Sequence, residues 1–417
     1  MVMRNGWKWV PSLYLAEGLP YVVVMTLSVI LYKRMEISNT DIALYTSWLY
    51  FPWVIKPIWS PFVDLMKTKR WWICAMQLLI GACMASVAFL LPGDHFFQAT
   101  LALFWLMAFS SATHDIAADG FYMLAQDTDE QAFFIGIRNT FYRIAMLTGQ
   151  GLLVMLAGWL EETTGQIPLA WCLVFLLLAV IFIAFAGWHR LILPHPATDQ
   201  SRSQQSAASL WKAFRQTFVS FFRKPGIGVA ILFMLTYRLG ESQLVKLASP
   251  FLLDKRELGG LELSTAEVGF AYGTVGVIAL LVGGILGGIA LAHGGLKRWI
   301  WPMALALTLP NLVYLYMAYT QPDNVWMVNG CVALEQIGYG FGFTAYTMFL
   351  MQFAQGSYTT SHYALGTGFM ALGMMLPGMI SGWMQEQLGY PHFFLWVMGC
   401  CLPLFLILPF LKLSDTP

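Results

Sequence analysis

The chain has 417 residues, 58% of them hydrophobic and 15% aromatic, with only 11% charged and a formal net charge of +1. Soluble domains carry about a quarter charged residues, so this composition excludes an ordinary water-soluble fold. The near-neutral balance also argues against a nucleic-acid partner, because no basic face or arm exists to neutralise a phosphate backbone.

Apolar runs of about 20 residues, the length needed to cross a bilayer, recur along the chain. The first covers 9–31. Basic residues precede it, as in a signal peptide, but the run is too long and has no small-residue cleavage site, so it reads as a membrane helix. Runs at 41–61, 71–91, 97–125, 133–158 and 168–193 follow. A hydrophilic break then opens with Ser/Gln-rich sequence and continues with Leu210, Trp211, Phe214 and Phe218 at helical spacing among Lys212, Arg215 and Arg223. That second part reads as an amphipathic helix on the membrane surface. Six further runs lie at 226–253, 265–291, 298–319, 324–352, 361–386 and 391–411.

The predicted fold class is an all-α membrane protein of twelve transmembrane helices in two six-helix halves. The expected organisation is an N-terminal bundle (1–193), a cytoplasmic linker (194–225) and a C-terminal bundle (226–417). Most of the Lys and Arg residues fall on one side of this even-numbered bundle, from Arg4 and Lys8 through the linker to Lys412. The positive-inside rule therefore puts both termini in the cytoplasm. The six cysteines, Cys74, Cys83, Cys172, Cys331, Cys400 and Cys401, all lie in apolar runs with no C-x-x-C pair, which argues against disulfides and structural zinc.

The halves resemble each other. "GWLEETTG" at 158–165 matches "GWMQEQLG" at 382–389, and "ISNTDI" at 37–42 matches "LSTAEV" at 263–268. Two related six-helix halves joined by a cytoplasmic linker resemble the plan of the major facilitator superfamily, which implies a substrate site near the midplane between the halves.

Charges inside spans carry the functional signal, since each costs about 2.5–3.5 kcal/mol at a helix centre on insertion scales. They are Glu17, Lys56, Asp115, Asp119, Arg138, Arg143, Arg238, Glu241, Lys246 and Glu335. Glu17 and Glu241 are related by the repeat, as are Asp115 and Glu335, and all four fall on helices 1, 4, 7 and 10, which line the cavity in that plan. Glu17, Asp115, Asp119, Glu241 and Glu335 are therefore the candidates for handling protons. Asp115 and Asp119 stand at i and i+4, sharing one helix face, and two neighbouring carboxylates in low dielectric do not both ionise freely. The competing structural reading pairs Asp119 with Arg138 and Asp115 with Arg143, as ion pairs between helices 4 and 5. Arg143, Arg238 and Lys246 are the cations placed to hold an anionic substrate, although Arg238 and Glu241, three residues apart, could also satisfy each other. Lys56 and Asp64, near the cytoplasmic end of helix 2, and Arg138 are candidates for gating.

Other signals read as architecture. The run "VGGILGGIALAHGG" lacks G-K-[ST] and lies in an apolar span, so it packs helices closely. Ser110 and Ser111 have no His/Asp arrangement to activate them, so no catalytic site, metal or cofactor is expected. Trp48, Trp53 and Trp59 are candidate platforms for a sugar ring.

"EGLPYVV", "YFPWVIKPIWSPFVDL", "ATHDIAADGF", "YRLGES" and "LEQIGYGFGFTAYTMFLMQF" resemble successive signatures of the AmpG-type muropeptide permeases and their acetyl-CoA transporter relatives. Glu241 stands for that family's usual Asp, and Leu65 for its usual Arg. The resemblance implies a proton-driven, inner-membrane importer of anhydromuropeptides serving peptidoglycan recycling. The expected partners are thus a small anionic substrate, protons and membrane lipid, with the chain acting as a monomer. The alternatives are a carrier of another anionic metabolite (acetyl-CoA-like, nucleotide-linked or siderophore-like) and a membrane sensor that does not transport.

Overall fold

The computed structural model describes residues 3–197, 199, 207–356 and 358–413, and its ordered elements are all helical. Among the described residues seven helices are long and apolar enough to cross a membrane, or eight when Arg215–Phe222 and Ile227–Leu253, bent by 92°, count as one broken span. They are α1 (Gly6–Arg34), α3 (Lys69–Leu90), α4 (Phe96–Ala125), α5 (Asp129–Thr164), α6 (Ile167–Ile192), Thr265–Thr320 and Thr359–Phe410. The last two are each interrupted by one glycine, Gly295 with φ 66° and Gly389 with φ 70°. Only glycine adopts that left-handed backbone without steric cost, so each run divides in two: α8 (265–294) and α9 (296–320), then α11 (359–388) and α12 (390–410).

Three further tracts complete the twelve. α2 (39–66) is made of Asn39–Trp48, Phe51–Val54 and Lys56–Met66. Pro52 and Pro57 account for its breaks, because a proline ring clashes with the preceding turn and supplies no N–H. α7 is interrupted at Tyr237–Arg238, between Ile227–Thr236 and Leu239–Leu253. α10 is Val325–Ala354. The amphipathic linker run forms a helix, Ala207–Phe222; the side chains of Leu210, Trp211 and Phe214 lie outside the described residues.

The chain divides into two compact units: 1–31 with 55–212, and 32–54 with 213–417. Residues 32–54, which belong to the first half by sequence, thus pack within the second unit.

In the first unit Trp9, Tyr14, Ile116, Phe121 and Phe134 bury an aromatic and aliphatic core. Lipid tails are as apolar as these side chains, so the specificity of helix packing comes from close contact and polar links. A chain of four polar side chains ties four helices together. Ser12 Oγ lies 2.9 Å from His189 Nε2, His189 Nδ1 lies 2.9 Å from Gln77 Oε1, and Gln77 Nε2 lies 2.9 Å from His114 Nε2.

In the second unit α8 and α10 meet along a glycine seam. A methyl group at Gly283, Gly287 or Gly340 would overlap the Ile337 carbonyl, the Thr344 hydroxyl or the Leu280 carbonyl respectively. The run "VGGILGGIALAHGG" therefore serves backbone approach. A polar knot closes one end of this unit. Asn39 Nδ2 lies 2.7 Å from Gln385 Oε1 and 3.1 Å from the Tyr390 hydroxyl, which donates to Asp254 Oδ2 at 2.6 Å. Lys33 completes it, at 2.5 Å from Asp254 Oδ1 and 2.8 Å from Asn39 Oδ1.

Candidate functional site

Eight of the ten in-span charges gather into one cluster in each unit, and Arg143 and Lys246 stand outside them. In the first, Glu17 comes from α1, Lys56 from the last piece of α2, Asp115 and Asp119 from α4, and Arg138 from α5. Pro57 restarts the α2 helix one residue past Lys56, which resets the face that Lys56 presents. Its ammonium forms an ion pair with Asp115 Oδ2. Arg138 Nη2 lies 2.8 Å from Asp119 Oδ1, and that oxygen also accepts from the Tyr14 hydroxyl at 3.1 Å. The Arg138 guanidinium stacks over Tyr14 and Tyr122, 4.5 and 5.1 Å from the ring centroids, a cation–π arrangement that fixes its fork.

Glu17 completes this group. Glu17, Asp115 and Asp119 each bring a carboxylate oxygen within 4.8 Å of the other two. Glu17 is 7% exposed, and its Oε2 has no hydrogen-bond partner among the described residues. Three carboxylates thus face two fixed cations, and the unmatched acid is Glu17. Three carboxylates at this spacing have the reach to hold a metal ion, but the Lys56 ammonium and the Arg138 guanidinium already occupy the cationic positions beside Asp115 and Asp119.

The expected Asp119–Arg138 pair is present. Asp115, however, pairs with Lys56 in place of Arg143. Five helical residues separate Arg138 from Arg143, a rotation of about 140°, so the two cannot face α4 together. Arg143 is half-buried and makes no ion pair among the described residues. Asp64 falls on a residue whose side chain lies outside the described residues. Close by, Trp59 Nε1 donates to Thr113 Oγ1 at 3.0 Å, two residues before Asp115, while the ring remains 38% exposed.

In the second unit Arg238 sits at the α7 interruption. Its Nη2 donates to the Tyr339 hydroxyl of α10 at 2.6 Å, and its guanidinium lies over the Tyr339 and Phe343 rings at 5.1 and 5.2 Å. Glu241 follows one turn along α7, and Glu335 precedes Tyr339 by one turn on α10. Each is 1% exposed. Lys246 lies further along α7, also 1% exposed, donating to Thr46 Oγ1 at 3.0 Å with Tyr50 5.2 Å from its ammonium.

The tyrosines 14, 122 and 339 were not singled out from sequence. Tyr14 stands three residues before Glu17 and Tyr339 four after Glu335, the spacings that share a helix face, and that was the available signal.

Residues 13–382 match the family model described as Major Facilitator Superfamily. The chain belongs to this superfamily. It is a multi-pass membrane transporter for small-molecule substrates. Among curated proteins it is similar to the anhydromuropeptide permease of Escherichia coli, with 27% identity over 396 residues that cover 93% of this chain and 76% of that one. Among solved structures it shares its fold with a D-xylose-proton symporter (TM-score 0.73, 12% identity, 98% of this chain and 97% of that chain). The nucleoside transporter NupG gives a TM-score of 0.70 at 15% identity, over 99% of this chain and 100% of that one. At such identities the two structures speak to fold alone.

Proposed function

We propose that the protein is a proton-coupled importer of anhydromuropeptides, that is, N-acetylglucosaminyl-anhydro-N-acetylmuramyl peptides recovered from the cell wall. It works in the bacterial inner membrane as a monomer with cytoplasmic termini, and it carries its substrate without altering it chemically. The anhydromuropeptide permease of Escherichia coli, similar over 93% of this chain, supports the substrate class. A muropeptide carries peptide carboxylates and sugar rings. Arg143, which makes no ion pair among the described residues, and the half-exposed Trp59 in the first unit suit those two features. Arg238 and Lys246 offer further positive charge in the second.

The observation that carries proton coupling is the unmatched acid of the first unit. Lys56 and Arg138 balance two of the three carboxylates, and leaving the third ionised in a desolvated site costs several kcal/mol. Taking up one proton at Glu17 brings the cluster to neutrality, and releasing it restores the charge. Asp115 and Asp119 hold the two cations in place around it, and Lys56, Asp64 and Arg138 take part in gating.

The test is uptake of labelled anhydromuropeptide into proteoliposomes, with and without an inward proton gradient of one pH unit. Wild-type protein accumulates the label only with the gradient. Glu17→Gln lowers that accumulation about tenfold, the free energy of one coupled proton at that gradient, and retains exchange of internal for external substrate. Wild-type uptake indifferent to the gradient would overturn the coupling. Exchange of other anions but not of muropeptide would overturn the substrate class.

A further inference from the structure

The second unit repeats the imbalance of the first in a more enclosed setting. Glu241 and Glu335 are both 1% exposed. Gln336 Nε2 donates to Glu335 Oε2 at 2.9 Å, while Glu335 Oε1 and both oxygens of Glu241 have no hydrogen-bond partner among the described residues. The two carboxylates lie within direct electrostatic reach of each other. The fully buried Tyr314 of α9, whose hydroxyl is also without a partner among the described residues, lies within electrostatic reach of both acids.

Arg238 from α7, Tyr272 from α8 and Cys401 from α12 lie within electrostatic reach of one or both acids, and Cys331 and Tyr339 stand one turn to either side of Glu335 on α10. Arg238 is the one cation near the pair among the described residues, and its guanidinium is already held by Tyr339 and Phe343. Two acids therefore face one base. A buried polar atom without a partner costs about 1–3 kcal/mol, and more when charged. A carboxylic acid changes that arrangement, because it gains an O–H donor while keeping acceptor capacity.

We propose that Glu241 and Glu335 form a second proton site, holding one proton between them separately from Glu17, so that two protons accompany each substrate molecule, one per unit. The inference rests on the reading of the protein as a proton-coupled importer. The step involves only an O–H bond. Hydronium on the side of higher proton activity gives its proton to a carboxylate oxygen of the pair, which leaves one carboxylate opposite Arg238, and water on the other side receives it, which leaves two carboxylates opposite Arg238 and a net charge of −1 on the three groups.

The experiment measures the limiting accumulation ratio of labelled muropeptide in proteoliposomes as the pH difference is varied, with the membrane potential clamped at zero by potassium and valinomycin. Two coupled protons give a limiting ratio of about a hundred-fold per pH unit, and one gives about tenfold. Wild-type protein is expected to show the steeper dependence, with Glu335→Gln and Glu17→Gln each falling to the shallower one. The double variant exchanges substrate without accumulating it.

A wild-type ratio of about tenfold per pH unit, unchanged in Glu335→Gln, overturns the second site and leaves the first intact. A ratio indifferent to pH overturns both. The wild-type dependence is read without any substitution, and Glu241→Gln provides a second variant should Glu335→Gln fail to fold.

Discussion

Replacing Lys56 by Met removes one of the two cations from the first cluster and leaves Asp115 facing Glu17 and Asp119 with Arg138 alone. Removing one partner of a buried pair costs about 3–5 kcal/mol. The Lys56 and Asp115 side chains are 28% and 19% exposed, so residual solvation puts the expected loss at the lower end, about 3 kcal/mol. For a body of this size 1 kcal/mol shifts the melting temperature by about 2–4 °C, so the variant should melt about 6–12 °C below wild type. Thermal unfolding in detergent, followed with a thiol-reactive dye, reads this directly. Cys83 in the first unit is 2% exposed and reacts once the fold opens. Adding Asp115→Asn to Lys56→Met removes the stranded charge, and the double variant should regain at least half of the loss. Energies of contacting residues fail to add by about 0.5–3 kcal/mol. Single effects that sum to the double effect within about 0.5 kcal/mol would refute both the pair and the charge balance built on it.

Two further expectations concern the second unit. Gly287→Leu drives a side chain into Thr344 and the Phe341 carbonyl, an overpacking worth about 1–3 kcal/mol, whereas Gly288→Leu, with nothing within 4 Å, should leave the melting curve unchanged. Equal behaviour of the two variants would count against the seam. Tyr390→Phe deletes the hydroxyl that Asp254 accepts from at 2.6 Å. A hydrogen bond to a charged group is worth about 1.5–3 kcal/mol, so that variant should melt measurably earlier, while Tyr316→Phe, at a 44% exposed position, should not.

The membrane class, the two-halved plan and the helices carrying buried acids were legible in sequence because each is a property of one helix: its length, its apolarity and the cost of a charge within it. Partnerships between helices were harder to read. Depth along straight helices suggested Arg143 for Asp115, but the choice falls to Lys56, because proline breaks in α2 reset its rotation. The knot of Asn39, Asp254, Gln385 and Tyr390 gave no local signal, since each member is an ordinary polar residue near the end of a run. Residues 32–54 could not be assigned to the second unit from sequence, because chain order alone places them in the first half.

The glycine seam also bears on how the chain is made. α10 is not among the seven described helices long and apolar enough to cross a membrane, and it carries Asn329, Glu335 and Gln336 within it. A segment of that polarity partitions poorly by itself when it leaves the ribosome. α8 precedes it, is strongly apolar, and offers a groove into which the α10 backbone fits. The seam thus gives α10 a waiting partner, so that biosynthetic insertion proceeds with α8 as template. Chains truncated after α10 should then integrate it fully when α8 is intact and only partly when leucines at Gly283 and Gly287 fill the groove.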